Sequence, residues 1–350
     1  MLMGFLKEMH HLSPHTGIKA LTAHPKHSKK RFGIPCIRRK NPIAILLALL
    51  RADVFLCGGG SLLQNATSRR SLRYYLALLR AAKRAGCRVI VYSAGIGPIR
   101  GERDRARMVR VLNTCDYISL RDPDSMRLLT ELGVDVSLLH LGADPALLLP
   151  PPPPTRYPAI LHAHRQNFLA QRLCVVLRKA PESLLQSVIV AVRLLCQRRG
   201  MQGMLVCFCE GDEEAIRTVE GEPWAVRVRV RGVEDLAALV AGASAVLSMR
   251  LHALVLASLH ATPALGIVTD PTDSKIVSFA KGVGQDAILY PKPSVAELIA
   301  CAEAHLWGEA AQNARISAAA VEEMQKKARK DLANIVEMIY NEEDKSTHGE

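Results

Sequence analysis

The chain is poor in aromatic residues. Phe, Trp and Tyr make up 4% of its 350 residues, so its cores must be built from Leu, Val, Ile and Ala. No two cysteines have the C-x-x-C spacing, and nine is an odd number of them. Cys57, Cys115, Cys174 and Cys207 fall inside or at the ends of predicted strands and helices, which excludes a secreted disulfide scaffold and fits free thiols in a reducing compartment. Cys207-x-Cys209 reads as strand packing. No apolar run of about 18 residues marks a membrane span. The N-terminus has no long apolar core ending in a small-residue cleavage site, so a cytoplasmic protein is expected. No cluster has metal-ligand spacing. Zinc-finger spacing, an RNA-binding aromatic signature and long lysine runs are all missing, so nucleic acid is not an expected partner.

Acidic residues are in deficit. There are 33 Asp and Glu against 46 Lys and Arg, a net charge of +13. That excess predicts anionic partners: nucleic acid, which the charge alone favours, phosphorylated small molecules, or a membrane surface with acidic headgroups. Part of it is concentrated in His24 to Lys40, which reads as a solvated loop. With 49% hydrophobic and 23% charged residues, the remainder has a globular balance, and the length allows two domains.

What is present is a repeated order of strand, loop and helix. After a helix at Leu2 to Met9, the predicted strands are Ile18–Leu21, Val54–Cys57, Arg88–Ser93, Tyr117–Leu120 and Val136–Leu139. Helices are expected from Asn41 to Arg51, Ser71 to Ala85, Glu102 to Asn113 and Asp124 to Leu132. Pro150 to Pro154 has no N–H to give to a sheet and is stiff, so 150–158 reads as a linker. Alternation resumes with strands at Leu173–Leu177, Met204–Phe208, Val226–Val230, Ala245–Leu247 and Ala264–Val268. Helices are expected at Glu182–Arg199, Asp212–Val219, Val233–Ala241, Val295–Leu306 and Ala314–Tyr340. This pattern predicts an α/β protein with parallel sheets covered on both faces. The domains expected are 1–149, 159–312, and a C-terminal helix and polar tail over 313–350, with a cleft between the first two.

In open α/β sheets the chemistry sits in the loops at the carboxyl ends of strands. Three such places stand out. Gly58, Gly59 and Gly60 follow a buried strand and let backbone N–H groups approach a ligand. Ser61, Gln64, Asn65, Ser68 and Ser71 beside them suit a sugar, with helix capping as the alternative use. Gly95 and Gly97 form a second glycine turn, and Arg121 ends a third strand. In Ser248 to Ile267, Arg250 and His252 stand where a strand gives way to a buried helix, which suits an anion. There the alternative is that Arg250 caps a neighbouring helix and His252 is a core histidine.

Read together, these stretches resemble one family. DVFLCGGGSLLQNATSRRSLRYYLALL, YSAGIGPI, SLRDPDS, GADPALLL, RLHALVLA and DSKIVSFAKGVG are similar, in order, to motifs of the polysaccharide pyruvyl transferases. The resemblance spans about Ile18 to Gly284. It implies a GT-B-like fold, two Rossmann-like doubly wound domains facing across a cleft. It also implies transfer of pyruvate from phosphoenolpyruvate, as donor substrate with no cofactor, to two hydroxyls of a sugar in a cell-wall or extracellular polysaccharide precursor. The family's donor-binding arginine falls on Arg121, its RLH histidine on His252 and its lysine on Lys275, which are the implied catalytic residues. Asp270-Pro271 is followed by Thr272 rather than Lys, and Asp273-Ser274-Lys275 restores the spacing.

The resemblance also implies a strand and a glycine turn ahead of the first helix, so the first domain is expected to lack its N-terminal strand. The acceptor is expected to be lipid-linked, with the protein in peripheral contact with the inner face of the plasma membrane. Two other readings stay open: a GT-B glycosyltransferase using a nucleotide sugar, and an inactive, binding-only relative.

Overall fold

Helices alternate with strands as far as Leu289, and among the described residues every strand pairing is parallel. The structure, a computed structural model, describes residues 2–65, 68–167, 169–208, 210–219, 221–269, 275–284, 287–289, 293–308 and 310–340. The chain forms two units, Met1–Leu149 with Met324–Glu350, and Pro150–Glu323.

The first unit runs α1 (Leu2–Leu12), β1 (Ala20–Thr22), α2 (Pro25–Phe32), β2 (Cys36–Arg38), α3 (Pro42–Leu49) and β3 (Val54–Gly60). It continues with α4 (Arg69–Arg84), β4 (Arg88–Ala94), α5 (Glu102–Leu112), β5 (Tyr117–Leu120), α6 (Pro123–Glu131) and β6 (Leu139–Leu141). Its strands form two sheets, β1-β2 and β3-β4-β5-β6. The predicted strand at Ile18–Leu21 is thus β1, but it pairs only with β2 and stands apart from β3. The apolar face of α1 does pack on the larger sheet: Phe5 and Met9 share a core with Ile90, Tyr92 and Tyr117, and the Phe5 and Tyr92 rings lie 5.4 Å apart.

Two expectations for this unit are corrected. His24 to Lys40 is not a loop. Pro25 fixes the first turn of α2, Gly33 at φ 70° closes it in the left-handed conformation, and β2 follows. Val136–Leu139 is not a strand throughout: the Asp135 carboxylate accepts from the Ser137 amide at 2.9 Å, which turns Val136–Leu138 into a single 3-10 turn before β6.

The second unit contains α7 (Arg156–Ala163), β7 (Arg172–Val176), α8 (Glu182–Arg199), β8 (Gln202–Cys207), α9 (Glu210–Ala215), β9 (Ala225–Arg229) and α10 (Val233–Ala241). Then come β10 (Ala245–Ser248), α11 (Leu251–Leu259), β11 (Ala264–Val268), α12 (Lys275–Gly282), β12 (Ala287–Leu289), α13 (Val295–Ala302) and α14 (Ala310–Tyr340). Helix α7 begins inside the expected linker. The predicted helix Asp212–Val219 divides into α9 and a 3-10 turn, Arg217–Val219. Residues of α14 from Met324 on belong to the first unit.

The strand order is β12-β11-β10-β7-β8-β9. Counted from β7, that is 3-2-1-4-5-6, the order whose ligand crevice lies where the winding reverses. Strands β7, β10 and β11 are buried at every residue, as a sheet covered on both faces demands. The apolar runs Leu173–Val176 and Ala264–Val268 meet that demand. Leu184, Val188 and Leu195 of α8 close the core on them.

Candidate functional site

In the first unit the site is built at the carboxyl ends of β3, β4 and β5. The glycine triplet belongs to β3 itself, since Gly58 pairs with Tyr92 and Gly60 with Ala94. Gly60 takes φ 90°, a conformation closed to most side chains, and turns the chain so that its carbonyl accepts from the Gly95 amide at 3.0 Å. The two glycine turns are thereby joined.

Arg121 lies beneath them. Its side chain is 4% exposed. Nη1 donates to Asp144 Oδ2 at 2.8 Å, Nη2 donates to Ser61 Oγ at 3.3 Å, and Nε stands 3.8 Å from Asp122 Oδ2. A Cβ on Gly95 would come within 2.6 Å of Arg121 Nε. The glycine is therefore what lets the guanidinium lie flat against the turn. A cation so deeply placed needs a compensating charge, and Asp144, itself 3% exposed, supplies it.

A buried polar chain supports this arrangement. Strand β4 bulges between Val91 and Ala94, and Ser93 there has φ 47°. Its hydroxyl donates to the Ala143 carbonyl at 2.9 Å, next to Asp144, and its amide donates to Ser119 Oγ at 3.2 Å. Ser119 Oγ and the Tyr117 hydroxyl both donate to Asp331 of α14, the latter at 2.8 Å. Burial raises the Asp331 carboxyl above its ordinary value, against the lowering pull of the Ser119 and Tyr117 hydroxyls.

Asn65, Ser68 and Ser71 beside the glycine turn make hydrogen bonds within the unit. Asn65 donates to the Arg100 carbonyl at 2.8 Å and to Asp104 at 3.1 Å, and accepts from the Arg100 amide at 2.7 Å. Its amide is thereby engaged in holding one glycine turn to the other. Arg69 also binds Asp104, at 2.5 Å, and its hydrogen bond is the main reason that carboxyl stays below the usual range. Ser68 Oγ caps α4 by accepting from the Ser71 amide at 3.2 Å, the alternative use foreseen for both serines. Gln64 is half-buried and Gly97 buried; Ile96 between the glycines donates its amide to Ser125 Oγ at 2.8 Å.

In the second unit, Arg250 is the N-cap residue of α11, at the end of β10 beside β7, the reversal point of the sheet. Its guanidinium pairs with Asp212 of α9, whose side chain is 2% exposed, and lies 5.5 Å from the centre of the Phe208 ring. Asp212 also accepts from the Phe208 amide at 3.1 Å. Arg250 thus ties α9 to the sheet. His252 is in the first turn of α11, half-buried with Nε2 enclosed. Lys275 is the first residue of α12 and half-buried; the expected segment before it, 270–274, lies outside the described residues.

The loop after β7 places Arg178 and Lys179 at the same reversal point. Sequence reading assigned neither, although a basic pair directly after a buried strand is the signal used elsewhere. Burial pushes the thiols of Cys57, Cys115 and Cys174 up to about 12 and that of Cys207 to about 11, so these cysteines pack rather than react. Cys209 lies outside the described residues. Among the described residues no cluster of His, Cys, Asp or Glu could hold a metal. A cavity of about 460 Å³ in the first unit lies between α1 and α2, lined by Leu6, His10 and Phe32 among others; none of the expected site residues lines it.

Sheets wound in this way, with charged groups at their carboxyl ends, define an α/β fold of the GT-B type. Solved structures agree. UDP-GlcNAc 2-epimerase from Methanocaldococcus jannaschii matches with a TM-score of 0.63 at 12% identity, covering 89% of this chain and 94% of that one. Anabaena Alr3699/HepE, in complex with UDP and glucose, matches with a TM-score of 0.64 at 12% identity over 97% and 95%. A glycosyltransferase from Rickettsia africae matches with a TM-score of 0.61 at 10% identity over 96% and 93%. At such identities the likeness carries the fold alone. No curated protein matches in sequence. The model of the polysaccharide pyruvyl transferase family matches residues 1–271, and the chain belongs to that family of enzymes.

Proposed function

We propose that the protein transfers pyruvate from phosphoenolpyruvate to two hydroxyls of a sugar in a cell-wall or extracellular polysaccharide precursor, giving a cyclic ketal and phosphate. The family match over residues 1–271 carries this reading. In the reaction the donor's methylene carbon gains a proton. One sugar hydroxyl adds to the neighbouring carbon and gives up its proton. The bond to phosphate then breaks with its electron pair, and the second hydroxyl closes the ketal while its proton passes to the departing phosphate.

The chemistry of the residues supports it. The donor carries a carboxylate and a phosphate, and Arg121 offers a fixed cation among glycine amides at the end of β5. Its ion pair with Asp144 orients the fork before the donor arrives, so no freedom is lost on binding. Positive charge near the phosphate stabilises the charge that develops as it leaves. His252 is the proposed proton carrier and Lys275 a second donor cation; their roles rest on the motifs.

Titration with phosphoenolpyruvate and with a UDP-sugar tests the reading. Saturable binding of phosphoenolpyruvate, weakened by Arg121→Lys, supports it. Binding of the UDP-sugar alone, as the Anabaena relative's complex would suggest, replaces it with nucleotide-sugar chemistry.

A further inference from the structure

Helix α3 leaves an apolar stripe open. Ile43, Leu46, Leu47 and Leu50 are 72, 52, 52 and 61% exposed. Their spacing sets them on one face, while Ile45 and Leu49 on the other are buried in the core of the first unit. No polar side chain interrupts Pro42 to Leu50. A solvated helix would carry polar residues on its outer face, and one apolar all round is normally covered on all sides.

The surroundings say what covers it. Between Glu8 and Asp53 the chain has no carboxylate and nine Lys and Arg residues. Lys40 and Arg51 flank α3 at its two ends, and both are exposed, as are Arg38 and Arg39. Strand β2 packs against α3 and α2 alike, and α2 has no buried residue and exposes Lys26, Lys29 and Lys30. An aliphatic stripe within a field of one sign fits an apolar interior beneath a negative surface. A second copy of the chain is disfavoured, because a two-fold contact through α3 would set this basic segment against itself.

We propose that α3 is the membrane-docking element of this protein. Ile43, Leu46, Leu47 and Leu50 enter the acyl boundary of an anionic bilayer, and the basic residues of α2, β2 and the α3 ends hold the headgroups. The Tyr74 hydroxyl, in the second turn of α4, donates to the Arg39 carbonyl at 2.7 Å. The start of α3 is therefore at the same end of the first unit as the glycine turn. Docking holds that end close to the headgroup plane, where a lipid-carried sugar would be presented. This last link rests on the proposed reaction; the docking does not.

Flotation with vesicles of phosphatidylglycerol and phosphatidylcholine, against phosphatidylcholine alone, reads docking without turnover. The wild type is expected to float with anionic vesicles and to lose affinity when salt rises from about 0.1 M to about 1 M. Leu46→Gln with Leu47→Gln should lower the partition roughly 10–100-fold at unchanged charge, and Lys29→Gln with Lys30→Gln roughly 10-fold or more. Ile43→Trp should shift its fluorescence to the blue on adding anionic vesicles. An unchanged thermal midpoint verifies that each variant folds. The proposal is overturned if the wild type ignores anionic vesicles, if the leucine variant floats as well as the wild type, or if the tryptophan does not shift. A wild-type dimer that the leucine variant dissociates would equally overturn it and assign the stripe to a second copy.

Discussion

Replacing Gly95 by alanine tests how the Arg121 site is held. The new Cβ would stand 2.6 Å from Arg121 Nε, 2.8 Å from Nη2 and 2.9 Å from Cζ. Comfortable contact needs about 3.5 Å, so the guanidinium must retreat by roughly 0.9 Å. A shift of that size displaces the guanidinium from the geometry of its bonds to Asp144, now 2.8 Å, and to Ser61, now 3.3 Å. The backbone cannot yield instead without loosening the Gly95 amide from Gly60 and the Ile96 amide from Ser125. Overpacking of this kind costs about 1–3 kcal/mol, and a lost bond between charged groups about 1.5–3 kcal/mol. Because the two effects overlap, a loss of about 2–4 kcal/mol is expected, a fall in Tm on the order of 5–15 °C. The assay is a double-mutant cycle by denaturant unfolding. Arg121→Ala alone takes from buried Asp144 its counter-charge, leaving it the Ala146 amide, and should cost about 3 kcal/mol or more. Adding Gly95→Ala to it should cost less than about 0.5 kcal/mol, because the atoms it would strike are gone. If Gly95→Ala costs the same with and without Arg121, the two are not packed as described.

Further outcomes follow from the same geometry. Asp331 has its folded pKa raised above the unfolded value, so its contribution to stability is present below an ordinary carboxylate pKa of ~4 and lost as pH rises through the folded value. Thermal midpoints taken from pH ~4 to neutrality should thus show the wild type losing ground against Asp331→Asn, and parallel curves would contradict this. Arg250→Ala should destabilise the second unit by roughly 3 kcal/mol, the low end for a buried charge that loses its counter-ion, because Arg250 is a third exposed and Asp212 keeps the Phe208 amide. Chemical denaturation checks it, and Arg250→Ala with Asp212→Ala should recover much of the loss. Asn65→Ala should cost about 1–2 kcal/mol of stability with donor affinity changed little, measured by unfolding and by phosphoenolpyruvate titration.

The parts of the fold that were legible are those whose local pattern and burial agree. Apolar runs such as Ala264–Val268 and Leu173–Val176 announce strands covered on both faces. Asn41-Pro42 announces the start of α3, where Asn41 accepts from the Ala44 amide at 3.1 Å. Helix α2 was not legible, because Lys26-His27-Ser28-Lys29-Lys30-Arg31 has no apolar period and the helix rests on Pro25 and Gly33. In the site, Arg121 was visible because it ends a buried strand. Its counter-charge was not, since Asp144 lies 23 residues on. Asp212 stands 38 residues from Arg250, and Asp331 is 212 from Ser119. The partners of Asn65 were hidden for the same reason, since they come 35 and 39 residues later. Spacing reports what one element presents, whereas these pairings depend on which elements the sheets bring side by side.

The central claim is that this chain moves pyruvate from phosphoenolpyruvate to a sugar. The most direct measurement incubates the protein with phosphoenolpyruvate and a panel of nucleotide-linked and lipid-linked sugars, and follows released phosphate and acid-labile pyruvate on the sugar together. The account predicts equal amounts of both with at least one acceptor, and neither with Arg121→Ala. Phosphate and ketal formation that persist undiminished in that variant would remove Arg121 from the reaction. Release of UDP from a UDP-sugar without consumption of phosphoenolpyruvate would contradict the claim itself.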